Sequence, residues 1–330
     1  MDEFSLIDRI AARTRARADV ALGIGDDCAL LAPPPGQMLA VTADTLNAGV
    51  HFPAETTPYD IGWKALAVNL SDLAAMGAQP AWCTLALSLP SADPQWLAGF
   101  TDGLFALADA AGIAVIGGDT TRGPLSISIT AMGFVPAGAA LRRDGAQVGD
   151  QVWVSGVPGE AALALQLWQA GQLDVSAVAA DAHHEALRQR LVRPTPRNAL
   201  GQALRGLATA AIDISDGLTA DLGHLCRRSG LAARLELARL PRSAALDAVA
   251  PGQQAWPWQT GGGDDYEVCF TARPDDAMSV AALGSQLGVG LQCIGQLGSG
   301  NDIDWIGPDG NRWQGPRAGY NHFAEGGRPQ

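Results

Sequence analysis

Several aspartates in this chain are placed where a carboxylate needs a chemical reason. Asp72 lies in IGWKALAVNLSDLAAMGAQP, residues 61–80, among small and apolar residues at helical spacing. A lone carboxylate in such surroundings is costly to ionise unless a cation or several donors stand beside it. Asp72 with Ser71 reads equally well as the cap of a helix beginning near Leu73. The same choice recurs along the chain. Asp26 and Asp27 follow a Gly-x-Gly turn in GIGDDCALL, either as a solvated turn or as a loop offering carboxylate oxygens to a hard cation. Asp44, with Thr42 and Thr45, is expected at the end of a buried strand, where ligands of α/β sheets collect. Asp119 follows two glycines in GGDTTRGP, which permit close backbone approach to a phosphate. Asp213 and Asp216 bracket Ser215 in AIDISDGL, at a strand end opening into a helix capped near Asp216. Taken singly, each acid is a cap or a turn. Asp27, Asp44, Asp72, Asp119, Asp213 and Asp216, all beside Gly, Ser or Thr, together point to one shared, metal-rich cleft.

The elements that must position them follow from apolar patterning. Helices are expected over residues 4–17, 94–111, 160–172 and 198–208. Strands are expected over 39–42, 82–89, 113–116, 126–135, 151–155 and 268–270. Asp264 and Asp265 follow three glycines in TGGGDDYEVCF, just before the last of these. His51 stands beside Phe52, with packing as its ordinary role and ligation as the alternative. A run of Gly, charge and turn residues in PAGAALRRDGAQVGD marks a boundary, giving domains over 1–140 and 141–330. Arg142 and Arg143 in that run are candidates to meet a polyphosphate.

The totals exclude several classes. A chain of 330 residues suggests two domains, and 47% hydrophobic with 17% charged residues describes a packed globular protein. Its formal net charge of −12 argues against a nucleic-acid binder, whose affinity rests on clustered Lys and Arg. The single lysine, Lys64, follows no glycine-rich run, so the GxxxxGK[ST] phosphate loop is absent. Five cysteines without a CxxC pair read as free, buried thiols of a cytoplasmic protein. No run of about 18 apolar residues suggests a membrane span.

GIGDDCALL, TADTLNAGVHF, KALAVNLSDLAAMGA, GGDTTRGP, DISDGL and GGGDDYEVCF occur in an order that resembles the thiamine-monophosphate kinase family, over about residues 4 to 323. That family belongs with aminoimidazole ribonucleotide synthetase and selenophosphate synthetase. The resemblance implies an α/β (α+β) two-domain fold like that of aminoimidazole ribonucleotide synthetase. An N-terminal ATP-binding domain would pair in a homodimer, and a C-terminal α/β domain would close over the cleft. The implied reaction is transfer from ATP to thiamine monophosphate, assisted by several Mg2+ ions and without a general base. Magnesium ligands carried over by motif fall on Asp27, Thr42, Asp44, Asp72, Asp119, Asp213 and Asp216. ATP contacts fall on Gly118, Asp119, Arg143 and Ser215, and thiamine-phosphate contacts on His51, Asp264 and Tyr320. Two positions depart from the pattern. Ala43 stands where the family often has a threonine that meets magnesium, leaving a backbone carbonyl or a water to serve. Asp264 stands where other members carry glutamate, one methylene longer. Two alternatives follow: an aminoimidazole ribonucleotide synthetase-like enzyme, and a catalytically silent nucleotide- and metal-binding protein. A selenophosphate synthetase is disfavoured, because no cysteine precedes Cys28.

Overall fold

The computed structural model describes residues 3–315. Helix α1 (Glu3–Ala11) is shorter than the helix expected over 4–17. Beyond it the arginines leave the helical path for outside partners. Arg13 pairs with Asp102, while Arg17 pairs with Asp19 and donates to the Gly112 carbonyl at 2.7 Å.

Two short strands, β1 (Val20–Leu22) and β2 (Leu30–Leu31), form a ribbon. There follow β3 (Gln37–Asn47), α2 (Pro58–Ala75), β4 (Gln79–Leu89), α3 (Pro94–Ala111), β5 (Ala114–Arg122) and β6 (Ser126–Pro136). The four long strands make one sheet in the order β3-β6-β4-β5, antiparallel except for the parallel β4–β5 pair. Helices α2 and α3 cover one face of it over an apolar core.

The second half begins with β7 (Gln151–Ser155), α4 (Glu160–Gln169), α5 (Ala182–Val192) and α6 (Asn198–Ala203). It continues with β8 (Ala208–Ile214), α7 (Leu218–Ser229), β9 (Leu231–Glu236), β10 (Glu267–Ala272), β11 (Leu291–Ser299), β12 (Ile303–Ile306) and β13 (Arg312–Trp313). These strands form a seven-stranded sheet, order β13-β12-β9-β11-β7-β10-β8, with its own core. The two-domain α/β architecture expected from the sequence is therefore present, although two helices stop early. α4 ends at Gln169 rather than near residue 172, and α6 at Ala203 rather than 208, where the chain already enters β8.

Helix α2 organises the molecule. Thr57 caps it, accepting the Asp60 N–H at 3.2 Å, and Pro58 occupies the first turn, where its missing donor costs nothing. Fourteen of its 18 residues are buried, so it is enclosed on all sides instead of lying on a surface. Glycines permit this. A Cβ on Gly62 would fall 2.0 Å from the Phe100 carbonyl oxygen, and one on Gly103 of α3 1.8 Å from that of Tyr59. The two helices therefore touch backbone to backbone.

The polar residues of α2 reach into the second half of the chain. Asp60, 1% exposed, accepts from Arg188 and Arg193. Trp63 Nε1 donates to the Pro194 carbonyl at 2.8 Å, and Asn198 Nδ2 to the Leu70 carbonyl at 2.8 Å. Removing one member of a buried ion pair strands the other. Asp60→Ala is thus expected to destabilise the protein by about 3 kcal/mol, because Arg188 keeps only Glu185 as a carboxylate partner. A urea titration checks this, and an unmoved midpoint would show the pair to be dispensable.

Candidate active site

Of the acids predicted to share a cleft, Asp44 and Asp119 lie inside strands, whereas Asp72, Asp213 and Asp216 stand at or beside element ends. Asp72 does not cap a helix beginning near Leu73: it lies in the last turn of α2, which starts 14 residues earlier at Pro58. Asp44 is inside β3, paired with Ile129, and Asp119 is inside β5, paired with Ala86. Both strands outrun their apolar segments because ladder hydrogen bonds continue to reward the extended backbone. The N-cap of α7 is Gly217, one residue past Asp216.

Four of these carboxylates share one electrostatic field. Thr42 Oγ1 donates to Asp72 Oδ2, and Ser71 Oγ to Asp213 Oδ2 at 2.8 Å. Burial, then the charges of Asp72 and Asp216, push the Asp44 carboxyl up to about 6. Burial, then the charge of Asp72, push Asp213 up to about 8. Asp72 is itself raised by burial, against the opposing pull of the Thr42 hydroxyl and the Arg143 guanidinium. Asp44 and Asp72 come from the first sheet and its helix, whereas Asp213 and Asp216 come from the end of β8 in the second. Thr42 and Asp44 point the same way from β3. Ala43, between them, lies on the opposite, exposed face with Leu39 and Val41, so a threonine hydroxyl there would not face this field.

The turn after β8 is set by a residue the sequence reading missed. Asp221 Oδ2 accepts the backbone N–H groups of Ser215, Asp216 and Gly217 at 3.0, 3.0 and 3.1 Å. Burial and the nearby Asp216 raise its carboxyl to about 7. Its only sequence signal is an acid in the first helical turn of DGLTAD. The neighbouring loop 262–267 alternates in direction. Glu267 meets Arg190 and Arg197 within the second half, and Asp265 accepts the Gly159 N–H at 2.7 Å. Asp264 and Tyr266 instead face the first half. Asp264 Oδ2 lies 3.2 Å from Lys64 Nζ, and the Tyr266 ring joins the core beneath the four-stranded sheet. Lys64 also escaped the sequence reading, which weighed it only against a phosphate loop.

The remaining candidates lie on more open ground. Asp27 is exposed on the loop between β1 and β2, and among the described residues its carboxylate has no hydrogen bond or ion pair. Asp119 is exposed on β5. Gly118 is required by packing as well: at φ 152°, a Cβ there would lie 1.8 Å from the Leu85 carbonyl oxygen of β4. His51 Nδ1 accepts the Asn47 N–H at 2.9 Å, fixing the ring against its own turn. Arg142 is held by Asp144, whereas exposed Arg143 bears on Asp72 and Asp213. Ser215 is half-buried, and its carbonyl accepts the Asp264 N–H at 2.8 Å. Tyr320 lies outside the described residues. The cysteines are all free but not all buried: Cys28 is exposed and Cys293 half-buried.

The donor set fits a hard divalent cation. Its atoms are carboxylate and hydroxyl oxygens, and burial first, then mutual repulsion, raises its carboxylates. Among the described residues no three His, Cys, Asp or Glu side chains are gathered closely enough to hold an ion alone. That suits Mg2+, which keeps several waters and binds through one or two carboxylates plus substrate phosphates.

Asp213 also makes a pH-dependent demand on stability. Its ordinary value is 3.8, so between there and about 8 the folded chain holds a proton that the unfolded chain has lost. Stability therefore falls as pH rises through that window. In EDTA-treated protein, Asp213→Asn should melt several degrees above the parent at about pH 8 and level with it at about pH 4. A difference that does not change with pH would show that repulsion at Asp213 is not its source.

Comparison with known proteins agrees with this geometry. The family model for AIR synthase related protein, N-terminal domain, matches residues 25–135. Thiamine-monophosphate kinase of Salmonella typhimurium is 50% identical over 325 residues, covering 98% of each chain. The crystal structure of thiamine-monophosphate kinase from Stenotrophomonas maltophilia superposes with a TM-score of 0.88 at 57% identity, covering 94% of this chain and 97% of that one. A structure of AaThiL complexed with AMPPCP and TMP gives 0.76 at 30% identity, covering 97% of each. On this similarity the chain belongs to the thiamine-monophosphate kinase family.

Proposed function

We propose that the protein transfers the γ-phosphoryl group of ATP to thiamine monophosphate, giving thiamine diphosphate and ADP, the last step in making thiamine diphosphate. The observation that carries this reading is the meeting of Asp44 and Asp72, from β3 and α2 of the first half, with Asp213 and Asp216, from the end of β8 and the turn after it. A related structure that holds AMPPCP and TMP supports both substrates.

The nucleophile is a phosphate monoester oxygen, largely dianionic near neutral pH because its second pKa is about 6. It needs no general base. The obstacle is bringing two like-charged phosphates together in line. Mg2+ ions, held by Asp44, Asp72, Asp213 and Asp216 with Thr42, and from more open positions by Asp27 on its loop and Asp119 on β5, would supply the neutralising charge. Arg143, exposed beside the acids, meets the ATP phosphates together with Gly118, Asp119 and Ser215. His51 and Asp264 receive thiamine monophosphate, and Tyr320 belongs to the same role. Asp221 holds Ser215 and Asp216 in place through their backbone amides. Transfer is direct, with no phosphorylated enzyme.

We infer that the domain boundary falls between residues 140 and 141. Ala140 packs on the first core, whereas Leu141 belongs to an apolar cluster of the second half. We also infer a homodimer built on β3, an edge strand whose Met38, Leu39 and Val41 are 55%, 46% and 58% exposed. Sedimentation as a monomer at micromolar concentration would remove that inference. Five free thiols suit a reducing cytoplasm, and among the described residues no helix is long and apolar enough to cross a membrane.

The test is ADP release from ATP and Mg2+, with and without thiamine monophosphate, while thiamine diphosphate is followed directly. Equal amounts of both products are expected. Asp72→Asn should lower turnover by at least about 100-fold without lowering the melting temperature, by analogy with the loss of a charge-stabilising group. ATP binding without turnover would favour a silent binder, and a trapped phosphoprotein would overturn direct transfer.

A further inference from the structure

Lys64 is the only lysine in 330 residues, and its side chain is 2% exposed. A buried ammonium carries three donors and a large desolvation cost. Here its one ionic partner is Asp264 Oδ2 at 3.2 Å, and no group in the described structure meets Nζ with full hydrogen-bond geometry. Such a pair is a poor device for stability, since an apolar side chain of the same volume would cost less to bury. Its placement suggests another use.

Lys64 and Asp264 belong to different halves of the chain, α2 on one side and the loop before β10 on the other. Asp264 adopts the left-handed backbone at φ 68°, and Tyr266, two residues on, does the same at φ 51°. Aspartate is among the few non-glycine residues that enter that region readily, but a bulky side chain such as tyrosine rarely does. The loop is held there from several directions. The Asp264 N–H donates to the Ser215 carbonyl at 2.8 Å, and the Tyr266 N–H to that of Ile214 at 2.8 Å. The Tyr266 hydroxyl donates to Asp264 Oδ1 at 3.0 Å. One carboxylate oxygen thus faces the tyrosine and the other the lysine, while 28% of the side chain remains open to solvent.

We propose that Lys64 is a positioning residue for the thiamine monophosphate pocket: its ammonium draws Asp264 across the domain boundary and fixes the direction of that carboxylate. This rests on the reading given under Proposed function, in which Asp264 receives the substrate. The substrate's thiazolium is a fixed cation and its aminopyrimidine a hydrogen-bond donor, so either benefits from a carboxylate held in one orientation. Asp264 has one side-chain torsion fewer than a glutamate with which to find its own direction. Lys64 supplies that direction from outside, and because it stands on α2, the helix that carries Asp72, the organic end of the substrate is aligned with the reacting end through one rigid element.

Lys64→Met, close in shape and uncharged, tests the assignment. The KM for thiamine monophosphate should rise about tenfold, while the KM for ATP stays within about twofold, since uniform loss of substrate binding appears in KM. Asp264→Asn should do the same, and the double variant should be no worse than either single one, as expected for two members of one interaction. A second readout does not depend on turnover. Protein labelled with 15N-lysine has one Nζ resonance, which should move in Asp264→Asn and again when thiamine monophosphate, but not AMPPCP alone, is added to the parent. Equal rises in both KM values, or an Nζ resonance indifferent to Asp264→Asn and to thiamine monophosphate, would overturn the proposal. If the parent made no thiamine diphosphate, the functional reading would fail by itself, and the Nζ response to Asp264→Asn and to thiamine monophosphate would still decide the role of Lys64.

Discussion

Repulsion among buried carboxylates is the constraint that the rest of this structure accommodates. Asp44, Asp72, Asp213 and Asp216 raise one another's energy in the absence of cations, and each is pinned by a different device. Thr42 and Ser71 donate hydroxyls to Asp72 and Asp213, Asn69 accepts the Asp44 N–H at 3.1 Å, and Asp221 gathers the amides that flank Asp216. A fold selected for stability alone would dilute such a cluster. Its retention, at a seam where a strand and a helix of the first half meet a strand end and turn of the second, is what separates a site for polyanions and their counter-ions from an ordinary domain contact.

Helix α2 is how the seam is made. A helix on a domain surface presents one apolar stripe and one wet face. This one is enclosed, and it spends its polar residues on the other half of the chain. Asp60, Trp63, Lys64 and Ser71 each hold a different part of it, from α5 through the loop before β10 to β8. Relative movement of the two halves must therefore break several desolvated polar contacts at once. Closure over a substrate, if it involves rearrangement, is more easily borne by loops such as 24–28 than by the seam itself.

Much of this was legible in the residues. The spacing of apolar positions located most of the strands, and Pro94–Ala111 and Gln151–Ser155 coincide with the expected boundaries. Local reasoning failed where long-range pairing decided the outcome. Asp44 and Asp119 seemed to end their strands because polarity rose there, yet β3 and β5 continue along their ladder partners. Asp72 looked like a cap because Ser-Asp is a capping pair, while the true cap was Thr57, about four turns upstream. The glycine before Asp119 suggested close approach by phosphate, and only the fold shows that a neighbouring strand's carbonyl also excludes any larger residue there. Lys64, Asp221 and Tyr266 went unnoticed because nothing beside them in sequence reveals a partner that lies 200, five or two residues away. The motif order carried the family; the partners needed the fold.

The seclusion of the one lysine has a practical corollary. Every other fixed side-chain cation of the protein is a guanidinium, so the native exterior offers no internal primary amine. Acylating or aldehyde-based reagents that modify most enzymes at dozens of positions would meet no exposed lysine on this one, and Lys64 with the loop it holds would stay untouched in the folded protein.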